Sequence, residues 1–218
     1  MESVARGGTR WKRFALVMVP SVAATAAIGI GMSQGALAAS FSISGQEFKV
    51  TAKELEGYDF VQYGSIASGK SLKGEALNEP VAVSGFSKAY ITNMCQSVVT
   101  TLPFGLGDVT LRLEAGTEGS TRQPEKRVYA KDLYLDVSQL DADATFEDID
   151  IGVAAGSLKN PGIQPGTQAN PFGFSQRSRT ATLTNVKQKA WATTAGTFKL
   201  PDLKLRLHSG TSKECFKG

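Results

Sequence analysis

Apolar and polar positions alternate over much of the chain. Val109/Leu111/Leu113, Ile149/Ile151/Val153 and Leu203/Leu205/Leu207 are separated by Thr110/Arg112/Glu114, Asp150/Gly152/Ala154 and Lys204/Arg206/His208. A period of two predicts strands with one buried face and one wet face. Upstream segments such as Leu133/Leu135/Val137 alternate likewise, and LPFGLG and KLPD between the segments read as turns.

The alternating segments recur. Ala89-Tyr-Ile-Thr-Asn-Met-Cys-Gln96 aligns with Ala181-Thr-Leu-Thr-Asn-Val-Lys-Gln188, and Val128-Tyr-Ala-Lys-Asp-Leu133 opens a third copy. They lead to the runs Asp108–Gly116, Asp202–Gly210 and Asp148–Gly156 respectively, and the separations from the Asn or Asp to the closing Gly are 23, 25 and 24 residues. A degraded fourth copy starts at Val50-Thr-Ala-Lys-Glu-Leu55. Each unit reads as a β-hairpin, so about eight strands are expected in an antiparallel sandwich, an open barrel or a curved sheet. A parallel β-solenoid is the runner-up, although its coils call for a more regular period. The stretch 157–178, rich in Pro and Gly, is expected to be a long loop with Phe172 and Phe174 tucked onto the sheet; a lid or partner contact is the alternative.

Residues 1–38 have a different character. Arg6, Arg10, Lys12 and Arg13 precede an apolar leader helix, no residue from Phe14 to Gln46 is charged, and Ala36-Leu37-Ala38 has the spacing of a cleavage site. This is the pattern of an export signal cut after Ala38. A retained membrane anchor is the alternative, because about 20 apolar residues span a bilayer. Either reading places the single β-rich domain, 39–218, outside the cytoplasmic membrane: extracellular, or at the membrane's outer face or cell wall. Without the leader's four bases and one acid, 20 basic residues face 19 acidic ones, and no basic cluster is left to bind nucleic acid. In an oxidising compartment Cys95 and Cys215 are expected to pair as a disulfide.

Candidate chemistry is sparse. One His and two distant Cys leave no Cys/His zinc site, and neither GxxxxGK[ST] nor GxGxxG occurs. No cofactor is therefore expected. Gly85-Phe-Ser87-Lys-Ala89 gives a G-x-S-x-A, followed downstream by Asp148 or Asp202 as acid and His208 as base, which is the chain order of a serine esterase. The elbow's second glycine is missing, a strand follows where a helix should, and His208 lies on a wet face. Catalysis is accordingly the weakest reading. Asp141, Asp143, Glu147, Asp148 and Asp150 are dense enough for calcium but match no EF-hand spacing, and alternating acids usually form a solvated face.

The segments CQSVVTTLPFGLGDVTLRLEAG, KDLYLDVSQLDADATFEDIDIGVAAG and LTNVKQKAWATTAGTFKLPDLKLRLHSG resemble an actinomycete family of exported proteins of unknown function. The likeness runs over nearly the whole chain. Members often carry the label "cholesterol esterase", which comes with no catalytic motif and transfers no site residues. Their genes tend to neighbour one for a small multispanning membrane protein, so the resemblance implies a membrane partner. The sequence thus predicts an exported, non-catalytic envelope or surface protein with a structural or assembly role, self-assembly included. The alternative is a carrier of a lipid or other apolar molecule, and behind it stands an esterase using Ser87 and His208.

Overall fold

The computed structural model describes residues 43–117 and 123–217; the expected leader helix lies outside the described residues. Nine strands form one antiparallel sheet: β1 (Phe48–Lys70), β2 (Ala76–Thr92), β3 (Met94–Thr101), β4 (Asp108–Ala115), β5 (Val128–Glu147), β6 (Asp150–Ala154), β7 (Phe174–Thr194), β8 (Thr197–Lys199) and β9 (Lys204–Ser209). Three short 3-10 turns and no α-helix occur among the described residues. The all-β, antiparallel expectation is met, as a curved sheet that closes into a small barrel.

Closure comes from four long strands. β1 pairs with β2, β2 with β5, β5 with β7, and β7 returns to β1. After Asn93 the chain of β2 continues as β3, which carries β4 and then β9 away from the ring as a three-stranded wing. The repeat therefore takes different partners in its different copies. Its two halves pair with each other in the first copy, β3 with β4, whereas β6 pairs with β7 and β9 with β4.

What the copies share is a bend. Among the described residues the non-glycine positions with positive φ are Asp59, Asn93, Asp132, Asp148, Asn160, Asn185 and Asp202. Apart from Asn160, each closes the same six-residue pattern of apolar-x-apolar-x-Asx-apolar, with Gly57 taking an apolar place once. The segments are Leu55–Phe60, Ala89–Met94, Val128–Leu133, Ala144–Ile149, Ala181–Val186 and Phe198–Leu203. At Asp132 the buried positions change from Val128 and Ala130 to Leu133 and Leu135; at Asn185 they change from Ala181 and Leu183 to Val186 and Gln188. One left-handed residue moves the alternation by one place, so the inward face stays apolar around the bend. Register survives: β1 and β2 keep the same offset at Tyr58↔Lys88 and Val61↔Gly85 on the two sides of Asp59. Asp and Asn adopt this conformation at lower cost than other side chains.

Two cores result. The barrel interior holds Leu55, Phe60, Phe86, Ile91, Leu133 and Leu183 among others. Gly57 belongs to it because the Phe86 ring occupies the space a Cβ would need. The second core lies on the outer face, where Val61, Tyr63, Val81 and Val83 are covered by Ala155 and Leu158. The expected loop is thus a strap. Gln164 N donates to the Tyr63 hydroxyl at 2.7 Å, and the Tyr134 hydroxyl donates to Gly162 O at 3.2 Å. Phe172 and Phe174 do not tuck onto the sheet: they are 90% and 64% exposed, and Leu158 supplies the packing instead. Phe174 already belongs to β7.

Cys95 and Cys215 are joined, with Cα atoms 5.9 Å apart and a sequence separation of 120. The bond pins the C-terminal tail to the outer face of the wing. There Thr110 Oγ1 donates to Gly210 O at 2.6 Å, Arg112 to Lys213 O at 3.1 Å, and Cys215 N to Ser97 Oγ at 3.0 Å. The face expected to be wet is therefore partly covered. In the chain-entropy account a loop of this length contributes about 4–5 kcal/mol.

Two outcomes follow for stability. Asp132→Val, with a β-branched residue forced into positive φ, should cost about 2 kcal/mol in urea melts, while Asp132→Asn should be neutral. Burial among Val83, Ala192 and their neighbours pushes the Asp136 carboxyl from 3.8 up to about 6. The folded state then holds this proton more tightly than the unfolded one. Its contribution is fully present below about pH 4 and is lost as pH rises to about 6. Asp136→Asn should raise Tm relative to the parent at pH 7, with the difference closing towards pH 4.

Candidate functional site

The barrel is not filled. Up to Val137, β5 runs beside β2; from there to Glu147 it pairs with β7 alone. Its departing half turns Leu140, Ala142, Ala144 and Phe146 towards the interior, two of them too small to reach the far wall. A cavity of about 150 Å³ lies between these residues and Leu55, Phe60, Phe86, Leu183 and Val186. Phe60 stacks at a tilt against Phe86 (5.3 Å) and Phe146 (5.2 Å), forming one wall.

The lining contains no ionisable side chain; its polar members are Gln62, Ser84 and Gln188. Gln176 Nε2 donates to Gln62 Oε1 at 2.7 Å, and Gln62 Nε2 donates to Ser84 Oγ at 3.0 Å, a fixed amide ladder on one side. Beyond Leu55, Leu135, Val186 and Gln188 a second void of about 30 Å³ extends to Met94 and Phe198. Such an interior suits a hydrocarbon group and offers no proton donor or acceptor of shifted pKa.

The apolar inner face continues onto the wing. Val98, Leu111 and Leu207 lie opposite one another across β3, β4 and β9, as do Leu113 and Leu205 across β4 and β9. The sequence predicts Leu203, Leu205 and Leu207 on a buried face; instead Leu205 is 57% and Leu207 69% exposed, because β9 is an edge strand and, among the described residues, nothing covers that side. Ile151, likewise expected inside, is 65% exposed on β6.

The esterase candidates are apart. Ser87, on β2, donates to the Asp59 carboxylate and to Tyr58 O at 3.3 Å. His208, on β9, lies opposite Thr110, and the strand order β2-β1-β3-β4-β9 sets three strands between the two. Asp148 is engaged by Arg179 at 2.6 Å, and Asp202 occupies a left-handed bend.

The acidic stretch is a solvated face with partners. Asp143 accepts from Asn185 (2.8 Å), Asp150 from Arg177 (2.9 Å) and Glu147 from Arg179 (3.0 Å). Among the described residues no three His, Cys, Asp or Glu side chains are grouped to hold a metal ion. Sequence reasoning passed over Leu140, Ala142 and Ala144, which alternate with those acids; their periodicity was the available signal.

A family model described as a family of unknown function, DUF6230, matches residues 44–216. No curated protein and no solved structure matches the chain. The match takes in the ring, the wing, the strap and both cysteines.

A cavity of ~150 Å³ with largely apolar walls has room for benzene. Benzene should therefore shift the methyl resonances of Leu55, Leu183 and Val186 in a saturable way. In Ala144→Leu, which occupies the space, these shifts should vanish without loss of Tm.

Proposed function

The chain belongs to the DUF6230 family of unknown function, and we propose that it is an exported, non-catalytic protein of the cell envelope or surface. In this reading it has a structural or assembly role at the outer face of the cytoplasmic membrane, held to a membrane-embedded partner. The observation that carries the reading is the uncovered apolar face of the wing, with Leu205 and Leu207 presented on a free edge strand. Exposed contiguous apolar surface of this kind marks association sites. The basic, then uncharged, leader supports export, and the Cys95–Cys215 bond suits an oxidising compartment. Kinship with exported actinomycete proteins labelled "cholesterol esterase" is part of the proposal, on the strength of the segments quoted above.

A second reading is favoured by the cavity: a binder of a lipid or another apolar molecule whose end enters the barrel. At about 150 Å³ the cavity, which opens beside the exposed Ala142 and Ala144, admits one short alkyl or ring group, with the rest of a larger ligand lying along the open side of β5. The esterase reading, with Ser87 and His208, has the least support, since Ser87 is hydrogen-bonded to Asp59 and three strands stand between it and His208 in the sheet.

Native mass spectrometry of the protein isolated from its host, followed by organic extraction, separates these readings. A clean chain mass together with higher assemblies, lost in Leu205→Asp/Leu207→Asp while the fold persists, is the expected result. An extractable apolar adduct would move the binder ahead. Ester turnover abolished by Ser87→Ala would overturn both.

A further inference from the structure

Two stretches of the sheet have an unpaired edge. β9 pairs with β4 on one side, and no strand among the described residues lies on the other. β5 pairs with β2 only as far as Val137, so from Gln139 to Glu147 its side away from β7 carries no strand among the described residues. Both edges alternate in the same way. On β9 Leu203, Leu205 and Leu207 enclose Lys204 and Arg206; on β5 Leu140, Ala142 and Ala144 enclose Asp141 and Asp143. Both runs are exposed, one basic and the other acidic.

The backbone of β9 is set to receive a strand. Gly210 N donates to Asp108 O at 2.7 Å, one place beyond the pair Val109↔Ser209. Every second residue from there, His208, Arg206 and Lys204, therefore bonds to β4, and the amides and carbonyls of Leu205 and Leu207 point to the open side. Viewed from the apolar face, β9 and the second half of β5 have their open sides on the same hand of the chain direction. Two such edges meet antiparallel, with the apolar face continuous across the junction.

The charges are unsatisfied in a complementary way. Arg206 lies opposite Arg112, which takes Glu114 at 2.7 Å, so Arg206 has a like charge beside it and no ion pair among the described residues. Asp141 and Asp143 accept from the amides of Gln139 (3.0 Å) and Asn185 (2.8 Å), and neither forms an ion pair among the described residues although Lys187 is opposite Asp141.

We propose that the β9 edge of one copy pairs antiparallel with the β5 edge of the next, so that the protein assembles head to tail. With Leu205 opposite Ala142, Leu207 meets Leu140, Lys204 meets Asp143 and Arg206 meets Asp141. Large leucines then lie against the small residues that line the cavity on β5. Like edges are excluded, since β9 on β9 sets bases against bases and β5 on β5 sets acids against acids. A contact between two different patches propagates as an open chain or closes as a ring. The inference rests on the assembly role proposed above, and it names a second copy as the partner of the wing's edge.

The test uses two variants of the protein as its host exports it, Lys204→Glu/Arg206→Glu and Asp141→Lys/Asp143→Lys, each checked for the parent's circular dichroism and followed by sedimentation velocity. The parent should give a series of assemblies that grows with concentration and shrinks with salt. Each variant alone should associate at least about tenfold more weakly. An equimolar mixture of the two should restore the series, because each reversed edge then meets its complement. A parent that stays monomeric at every concentration overturns the proposal, as does a mixture of folded variants that fails to reassemble. Assembly that survives both reversals but is lost in Leu205→Asp/Leu207→Asp overturns it too, and leaves the association role of the wing's apolar face standing.

Discussion

Closing a ring with four strands is the constraint on which the rest of the structure depends. Strands of 17 to 23 residues cannot stay straight and still pair with two neighbours each. They must bend, and a bend that broke the alternation would turn apolar side chains out into water. In β1, β5 and β7 the left-handed Asp59, Asp132 and Asn185 resolve both demands, because each turns the strand and moves the inward positions by one place in the same step. A β-branched or bulky residue would be strained in that conformation, whereas Asp and Asn tolerate it. Gly57 shows how tight the closure is, since the Phe86 ring stands where any side chain would be.

The departures from the ring create the surfaces of functional interest. When β5 leaves β2 it opens the interior beside Ala142 and Ala144, and the cavity forms there. When the chain turns at Asn93 it carries β3, β4 and β9 outward, with the apolar face still facing the way it faced inside the barrel. The disulfide-held tail then covers the polar side of that wing and leaves the leucines bare. On the far side of the sheet the strap does the reverse, burying Val61, Tyr63 and Val83 while presenting Phe172 to solvent. Covered polar surface therefore lies beside uncovered apolar surface on the same sheet.

Much of the architecture was legible in the chain. Alternation at Val109/Leu111/Leu113 and Leu133/Leu135/Val137 specified strands, and β4 and β5 are where it placed them. The aligned Asn93, Asp132 and Asn185 marked the bends, although as sequence they read as repeat landmarks and not as corners. The candidate site was less legible. Leu140, Ala142 and Ala144 were hidden among acids, and the cavity arises because two alanines face a wall set by the other strands. Ser87 and His208 had an order along the chain that suggested chemistry, and the sheet sets strands between them.

Local physics explains the division. The sequence by itself determined what depends on a residue and its near neighbours: strand type from period two, corners from Asp and Asn, and the cysteine pair available for a bond. Tertiary structure alone decided which strands meet. The same repeat pairs with itself in β3 and β4 and with other strands in β6 and β9, since hydrogen bonding between backbones is indifferent to side-chain identity. Exposure was decided there too. Leu205 and Leu113 lie opposite each other on the same face, yet Leu205 is exposed because β9 is the last strand of the sheet among the described residues, and no pattern along the chain states where a sheet ends.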